Sequence, residues 1–321
     1  MNRKSKWLDD ASPSRAASEV AAIALRNRLN VVAYYLPLAA EESDGDIENV
    51  HQLRVATRRA MAAIETFEPF LSPRRASKMT KCLKKIRRAG GDARDNDVLR
   101  VRIETLAEHY EAAPWNDLLD RVHRRRKKAQ TPLREIAEKL SPKEFVRKIE
   151  KLLRSVHACP PPQETRKGKK GCGDTSFGSF ARCQLRQVLD DFFVVATRDL
   201  SAIEALHAFR IEGKHLRYSM ELLASAFDAS FRKDLYSVVE SLQHRLGEIN
   251  DHANAIQTFE SLRNETSPKR LRKHLTRMAD EERAALCQAQ AEFKQWWTPE
   301  RAEKLRTRIH STIDRESDST E

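Results

Sequence analysis

Long apolar segments and glycine are scarce in this sequence. The chain has 321 residues, of which nine are glycine, and only 7% of its residues are aromatic. No uninterrupted apolar run approaches the length of a membrane-spanning helix, and no apolar region of the kind found in secretory signals follows the first methionine. We therefore expect a cytoplasmic protein that does not insert into a membrane.

Closely spaced cysteine pairs are also missing. None of the five cysteines belongs to a Cys-x-x-Cys pair, and they lie far apart at Cys82, Cys159, Cys172, Cys183 and Cys287. This spacing favours reduced thiols over a disulfide framework or a zinc site.

Acidic residues are outnumbered by basic ones. Lys and Arg total 59 against 47 for Asp and Glu, which gives a formal net charge of +12. That balance favours a polyanionic partner, which could be nucleic acid, an anionic membrane surface or a phosphate polymer. The low aromatic content weighs against single-stranded nucleic acid, because proteins that bind it stack the bases on aromatic rings.

The abundant residues are helix formers, and no strand-like alternation of useful length occurs. Ala, Leu, Arg, Lys and Glu dominate, which predicts an all-α fold. One segment rich in proline, glycine and charge separates two regions of helical periodicity. We expect two helical bundles, at residues 13–157 and 177–315, joined by a flexible linker at residues 158–176.

One basic helical motif occurs twice, 156 residues apart, as His51, Arg54 and Arg58 and as His207, Arg210 and Lys214. The segments Gly91–Asp95 and Gly247–Asp251 overlay at the same offset. A register shared by two motifs predicts an internal duplication. Duplicated halves commonly pack about a pseudo-two-fold axis, so the two cationic stripes could converge on one ligand.

Each motif divides its helix into two faces. At 100° per residue, the basic side chains share one sector and apolar residues such as Leu53 and Phe209 occupy the other. Arg217 extends the second stripe. A basic stripe is most often a solvated face, but these stripes begin without acids, are rich in arginine and occur twice, which favours phosphate binding.

The helix after the first motif adds a second cationic face, formed by Lys81, Lys84, Lys85 and Arg88. The glycine in each Gly-x-x-x-Asp segment is expected to end one helix, and the aspartate to cap the next. Arg94 lies where it could also face an anion held near that helix N-terminus.

Taken together, these motifs resemble the conserved histidine α-helical domain, abbreviated CHAD. The resemblance covers residues 15 to 315 and includes the basic pair Arg58-Arg59, Arg-Asp-x-Asp-Val at 94 to 98 and Leu-Gly-Glu-x-Asn-Asp at 246 to 251. It implies two helical bundles related by pseudo-two-fold symmetry around a basic cavity or pore that binds inorganic polyphosphate, and association with polyphosphate granules. The Glu-x-Glu-x-Lys signature of the hydrolase domain often fused to this family is absent, so hydrolysis is not implied.

Other functions receive less support from the residues. No phosphate loop or His-Glu-x-x-His motif occurs, no nucleophile accompanies either histidine, and no cofactor is implied, so we expect a binding protein and no enzyme. Arginines one and two turns beyond each histidine should lower its pKa. The basic run from Arg121 to Lys128 could serve a nucleic-acid binder, but we expect a solvated helix face there. A helical scaffold that attaches to granules is a further reading, compatible with polyphosphate binding.

Overall fold

The computed structural model describes residues 5–9, 11–41, 47–109, 115–156 and 176–315. Its named elements are all helical, which confirms the predicted fold class. The α-helices are α1 Ala17–Glu41, α2 Ile47–Thr66, α3 Pro73–Ala89, α4 Gly91–His109, α5 Trp115–Ala129, α6 Thr131–Lys139, α7 Pro142–Leu153, α8 Phe177–Ala196, α9 Ile203–Leu223, α10 Tyr236–Asn264, α11 Lys269–Trp296 and α12 Pro299–Asp314. No helix among these residues is long and apolar enough to cross a membrane.

Proline and hydroxyl residues set several helix starts. Pro73, Pro142 and Pro299 each begin a helix, where the missing backbone N–H costs nothing. At α7, the Ser141 hydroxyl accepts from the Glu144 backbone N–H and the Glu144 carboxylate accepts from the Ser141 N–H. This reciprocal cap satisfies two donors that the helix itself leaves unpaired.

The chain folds as two compact units. Unit 1 comprises Met1–Val101, Asp120–Leu185 and Tyr218–Phe227, and unit 2 comprises Arg102–Leu119, Arg186–Arg217 and Asp228–Glu321. Each unit contains residues of both halves predicted from the sequence. The predicted half boundaries, the pseudo-two-fold arrangement and the basic cavity or pore stay predictions, and most of the predicted linker lies outside the described residues.

Each unit has its own aromatic core. In unit 1 the Phe180 ring stacks on Phe67 with a centroid separation of 5.5 Å. In unit 2 the Phe209 ring lies 5.2 Å from Phe192 and 5.4 Å from Trp297. Both Phe67, the residue after α2, and Phe209, on the apolar face of α9, are fully buried. The apolar faces predicted for these helices are therefore confirmed as core.

The helix bounds partly keep the predicted register. Helix α9 begins at Ile203, 156 residues after α2 begins at Ile47, and the two helices have nearly equal length. The break between α3 and α4 has no counterpart, however, because α10 runs unbroken through Gly247. The expectation that Gly247 ends a helix is wrong. An added Cβ there would meet nothing within 4 Å. The expectation that the aspartates cap a helix is wrong too, because Asp95 lies inside α4 and Asp251 lies inside α10.

The basic run on α5 is not wholly a solvated face. Arg126 is buried, its Nε donates to Asp97 Oδ1 at 2.6 Å, and its Nη1 donates to Gln130 Oε1 at 2.6 Å. Gln130 in turn donates to the backbone oxygen of Ala40 at 3.2 Å, at the end of α1. The expectation for the run is therefore wrong at Arg126, which is tied to α4 directly through Asp97 and to α1 indirectly through Gln130.

The expectation of five reduced cysteines is also wrong. Cys183 is disulfide-bonded, whereas Cys82 and Cys287 are free. A disulfide requires only that two sulfurs meet in the folded chain, and spacing along the sequence does not report this.

Candidate functional site

The first basic motif lies on the open side of α2. His51, Arg54 and Arg58 are half-buried, whereas Leu53 and Ala60 on the opposite side are fully buried. The predicted division of this helix into a basic and an apolar face is therefore confirmed.

His51 stands in a cationic environment. Burial lowers its pKa below the ordinary value of 6.5, the nearby Arg94 guanidinium lowers it further, and Glu48 opposes both. Arg58 and Arg54 are smaller causes of the same shift. The predicted direction is confirmed, but burial and Arg94 matter more than the two arginines of the motif. This environment therefore favours the neutral imidazole, whereas an anion bound beside it would favour the protonated form.

Arg54 is fixed against the corner between α3 and α4. Its Nη1 donates to the backbone oxygen of Arg87 at 3.0 Å, near the end of α3. A Cβ added at Gly91 would lie 3.4 Å from this Nη1, so the glycine permits the close approach. Burial lowers the pKa of Arg54, and Asp95 on α4 opposes the shift. The guanidinium is therefore both a structural link and a fixed positive charge.

Arg58 has an unsatisfied donor. Its Nε is buried and has no hydrogen-bond partner among the described residues. A buried donor without a partner is costly, so such a group marks a place where a ligand oxygen is expected. With His51, Arg54 and Arg94, it forms what we call the unit-1 cluster.

Arg59, the next residue, has a different role. Its Nε donates to Glu221 Oε2 at 2.8 Å and its Nη2 donates to Oε1 at 3.3 Å. Both residues belong to unit 1, and the Glu221 side chain is only 1% exposed. The structure thus gives Arg59 a buried carboxylate as partner, which sequence reasoning missed.

The cations predicted on α3 lie on its outer side. Met79, Leu83 and Ile86 are buried, while the predicted binding residues Lys81, Lys84, Lys85 and Arg88 are all exposed. Helix α3 contains no acidic residue. Its positive charge is therefore uncompensated within the helix.

The second motif lies on α9. His207 is exposed, and its Nδ1 lies 3.1 Å from Oδ1 of Asn250 on α10. Asn250 stands 156 residues after Arg94, the residue whose charge lowers the pKa of His51. Three further predicted residues are half-buried and each has an interaction partner, namely Arg210, Lys214 and Arg217.

Unit 2 also contains a charged network that the sequence analysis did not predict. Glu282 on α11 accepts from Arg102 Nε at 2.7 Å, and its other oxygen lies 2.6 Å from His252 Nδ1. The network links α4, α10 and α11, and we assign it a structural role because its charged side chains pair with one another. Among the described residues, no group of three or more His, Cys, Asp or Glu could hold a metal ion.

The chain belongs to the CHAD domain family, whose sequence model matches residues 23–260. Its fold is similar to the crystal structure of the CHAD domain from the plant Ricinus communis, with a TM-score of 0.60 and 21% identity over 94% of this chain and 93% of that one. It is also similar to PptA from Streptomyces chartreusis, with a TM-score of 0.59 and 15% identity over 88% of this chain and 99% of that one. No curated protein matches the chain. At these identities the structural likeness concerns the fold alone.

Proposed function

We propose that this protein binds inorganic polyphosphate without hydrolysing it and associates with polyphosphate granules. The unit-1 cluster is the observation that carries the proposal. Four cationic or protonatable side chains from α2 and α4 are half-buried there, the three arginines act electrostatically on His51, and the Arg58 Nε donor has no described partner. A chain of linked phosphates supplies both the negative charge and the acceptor oxygens that this cluster needs.

Arginine chemistry supports a phosphate ligand in particular. Guanidinium groups bind phosphate oxygens with two parallel N–H donors, and partial burial strengthens these bonds. In unit 2, helix α9 carries its own basic stripe of the same residue types. CHAD domains are associated with polyphosphate-related proteins, which agrees with this ligand.

The proposed function is binding because the cluster presents positive charge without a nucleophile. Two carboxylates act on its members: Asp95 opposes the lowering of the Arg54 pKa, and Glu48 opposes the lowering of the His51 pKa. His51 contributes most when protonated, and an adjacent polyanion favours that form.

Titration with long-chain polyphosphate at two salt concentrations tests the proposal. Each phosphate contact should lower log K by about 0.7 per log unit of salt, so several contacts give a steep dependence. Single-stranded DNA of matched charge should bind more weakly, since the cluster contains no aromatic ring on which bases could stack. Equal affinity for both polymers would contradict polyphosphate selectivity and support a nucleic-acid binder.

Charge reversal locates the site. Arg58→Glu combined with Arg94→Glu should weaken polyphosphate binding strongly, because both residues belong to the cluster and neither side chain donates a hydrogen bond to another described residue. The matched control is Arg124→Glu with Lys127→Glu, two exposed cations of α5 in the same unit. Equal loss in both folded variants would show that overall charge, and no particular site, determines binding.

A further inference from the structure

The cationic surface of α3 extends well beyond the unit-1 cluster. The helix carries eight basic residues and no acid, at Arg74, Arg75, Lys78, Lys81, Lys84, Lys85, Arg87 and Arg88. Only its Arg87 side is tied to the cluster, through the hydrogen bond from Arg54. Cys82, five residues earlier, lies about 140° around the helix from Arg87. The buried residues Met79, Leu83 and Ile86 occupy this arc. Apart from Arg75, the exposed cations occupy the remaining arc of about 220° and are not engaged by the cluster.

The far side of α3 packs against α7. The Arg75 guanidinium donates to the backbone oxygen of Lys151 on α7. Burial raises the pKa of the Cys82 thiol, while Lys148 on α7 and Lys85 on α3 both oppose the shift. These two lysines from different helices therefore lie near the same thiol, and the positive charge of α3 continues onto α7.

The acids of α7 do not neutralise this surface, because both are engaged elsewhere. Glu144 caps its own helix and lies 3.8 Å from Arg147, and Glu150 Oε1 lies 3.5 Å from Arg26 on α1. No ion pair involves Lys148 or Lys151 among the described residues, and both side chains are exposed. We define the lysine face as the exposed lysines on this side of the two helices, namely Lys78, Lys81, Lys85, Lys148 and Lys151.

The lysine face differs in chemistry from the unit-1 cluster. Its members are exposed lysines, whose ammonium groups are strongly hydrated point charges on flexible stems. Such groups attract a run of anions without fixing its geometry, and their contribution depends steeply on salt. A flexible polymer with one negative charge per repeating unit suits this surface better than a compact anion.

We propose that a polyphosphate chain held at the unit-1 cluster continues across α3 onto the lysine face, so that binding strengthens with chain length. This inference rests on the proposed function and adds a second segment to its site. The exposed part of α3 from Arg74 to Arg88 is about 21 Å long at 1.5 Å per residue. A short oligophosphate at the cluster cannot extend over this distance, whereas a long chain can.

The test compares tripolyphosphate with long-chain polyphosphate on full-length protein. In the variant Lys148→Glu with Lys151→Glu, affinity for the long chain should fall, and the slope of log K against log salt should decrease by about 1.4, or about 0.7 for each of two lost contacts. Tripolyphosphate binding should not change. Lys127→Glu with Lys128→Glu, an equal charge change on exposed residues of α5, should have a smaller effect on the long chain.

Three outcomes of these titrations would overturn the inference. They are an unchanged salt slope for the long chain, equal weakening of tripolyphosphate, and equal effects of the α5 control. The milder variant Lys148→Gln with Lys151→Gln should shift the slope in the same direction and replaces the reversal if that variant does not fold. If the unaltered protein binds neither tripolyphosphate nor the long chain, the proposed function itself fails. That result is distinguishable from failure of the present inference, which depends on comparing variants. Displacement of the long chain by polyglutamate at equal charge would assign the lysine face to acidic polypeptides and overturn its assignment to polyphosphate.

Discussion

Two adjacent arginines of α2 should respond oppositely to the same substitution. Arg59 is paired with Glu221 through two hydrogen bonds, while the Nε of Arg58 has no described partner. Replacing either residue with methionine keeps most of the aliphatic stem and removes the charge. The contrast therefore separates a structural arginine from a binding one.

The expected magnitudes follow from burial. In Arg59→Met, the carboxylate of Glu221 keeps its buried position, 1% exposed, and loses both hydrogen bonds from the guanidinium. Breaking a buried ion pair in this way costs about 3–5 kcal/mol. Because the Arg59 side chain is 19% exposed, we expect the lower end of that range. Polyphosphate affinity of the folded fraction should change little.

Arg58→Met should have the reverse profile. Loss of one charge-assisted contact to phosphate, worth about 1.5–3 kcal/mol, weakens binding by a factor of about 10 to 150. Stability should stay the same or rise slightly, because repulsion between Arg58 and Arg54 is removed. Urea unfolding and polyphosphate titration on both variants measure the two quantities separately.

A third variant checks the cause of the Arg59 effect. Arg59→Met with Glu221→Met replaces the buried pair by apolar side chains and should recover most of the lost stability. The reasoning is refuted if Arg59→Met unfolds at the same urea concentration as the unaltered protein while weakening binding as much as Arg58→Met. In that case Arg59 would contact the ligand and the pair with Glu221 would not form.

Three further predictions concern protonation and ion pairing. The pKa of His51 is lowered in the folded protein, so the unfolded chain binds more protons near pH 6.5. The free energy of unfolding should therefore fall as the pH decreases below about 6.5. His51→Asn should remove that part of the pH dependence, which urea titrations at several pH values measure. Polyphosphate binding near that pH should also be accompanied by proton uptake at His51. The measured binding enthalpy should then differ between buffers of different ionisation enthalpy, and His51→Asn should abolish that difference. Asp97→Ala should cost about 3–5 kcal/mol by leaving Arg126 buried without its carboxylate, and a loss below about 1 kcal/mol in urea unfolding would contradict the assigned pair.

Periodicity along the chain was sufficient to predict the helical fold class and the orientation of individual helices. Leu53 and Phe209 are buried and the basic residues of the same helices are not, because a period of 3.6 residues places them on opposite sides. The predicted pKa direction of His51 rested on the same argument, since arginines three and seven residues away share its side of α2.

Which charged groups face one another was decided only by the tertiary structure. Sequence spacing places Arg58 and Arg59 side by side, but Glu221, 162 residues away from Arg59, distinguishes them. In the sequence, Arg126 is one cation of a basic run, but in the folded protein it is buried and bonded to Asp97 and Gln130. At Gly247 the helix continues, and no neighbouring atom lies within 4 Å of an added Cβ. The physical reason is common to these cases: periodicity orients a side chain within its own helix, whereas burial and ion pairing depend on what other helices bring opposite it.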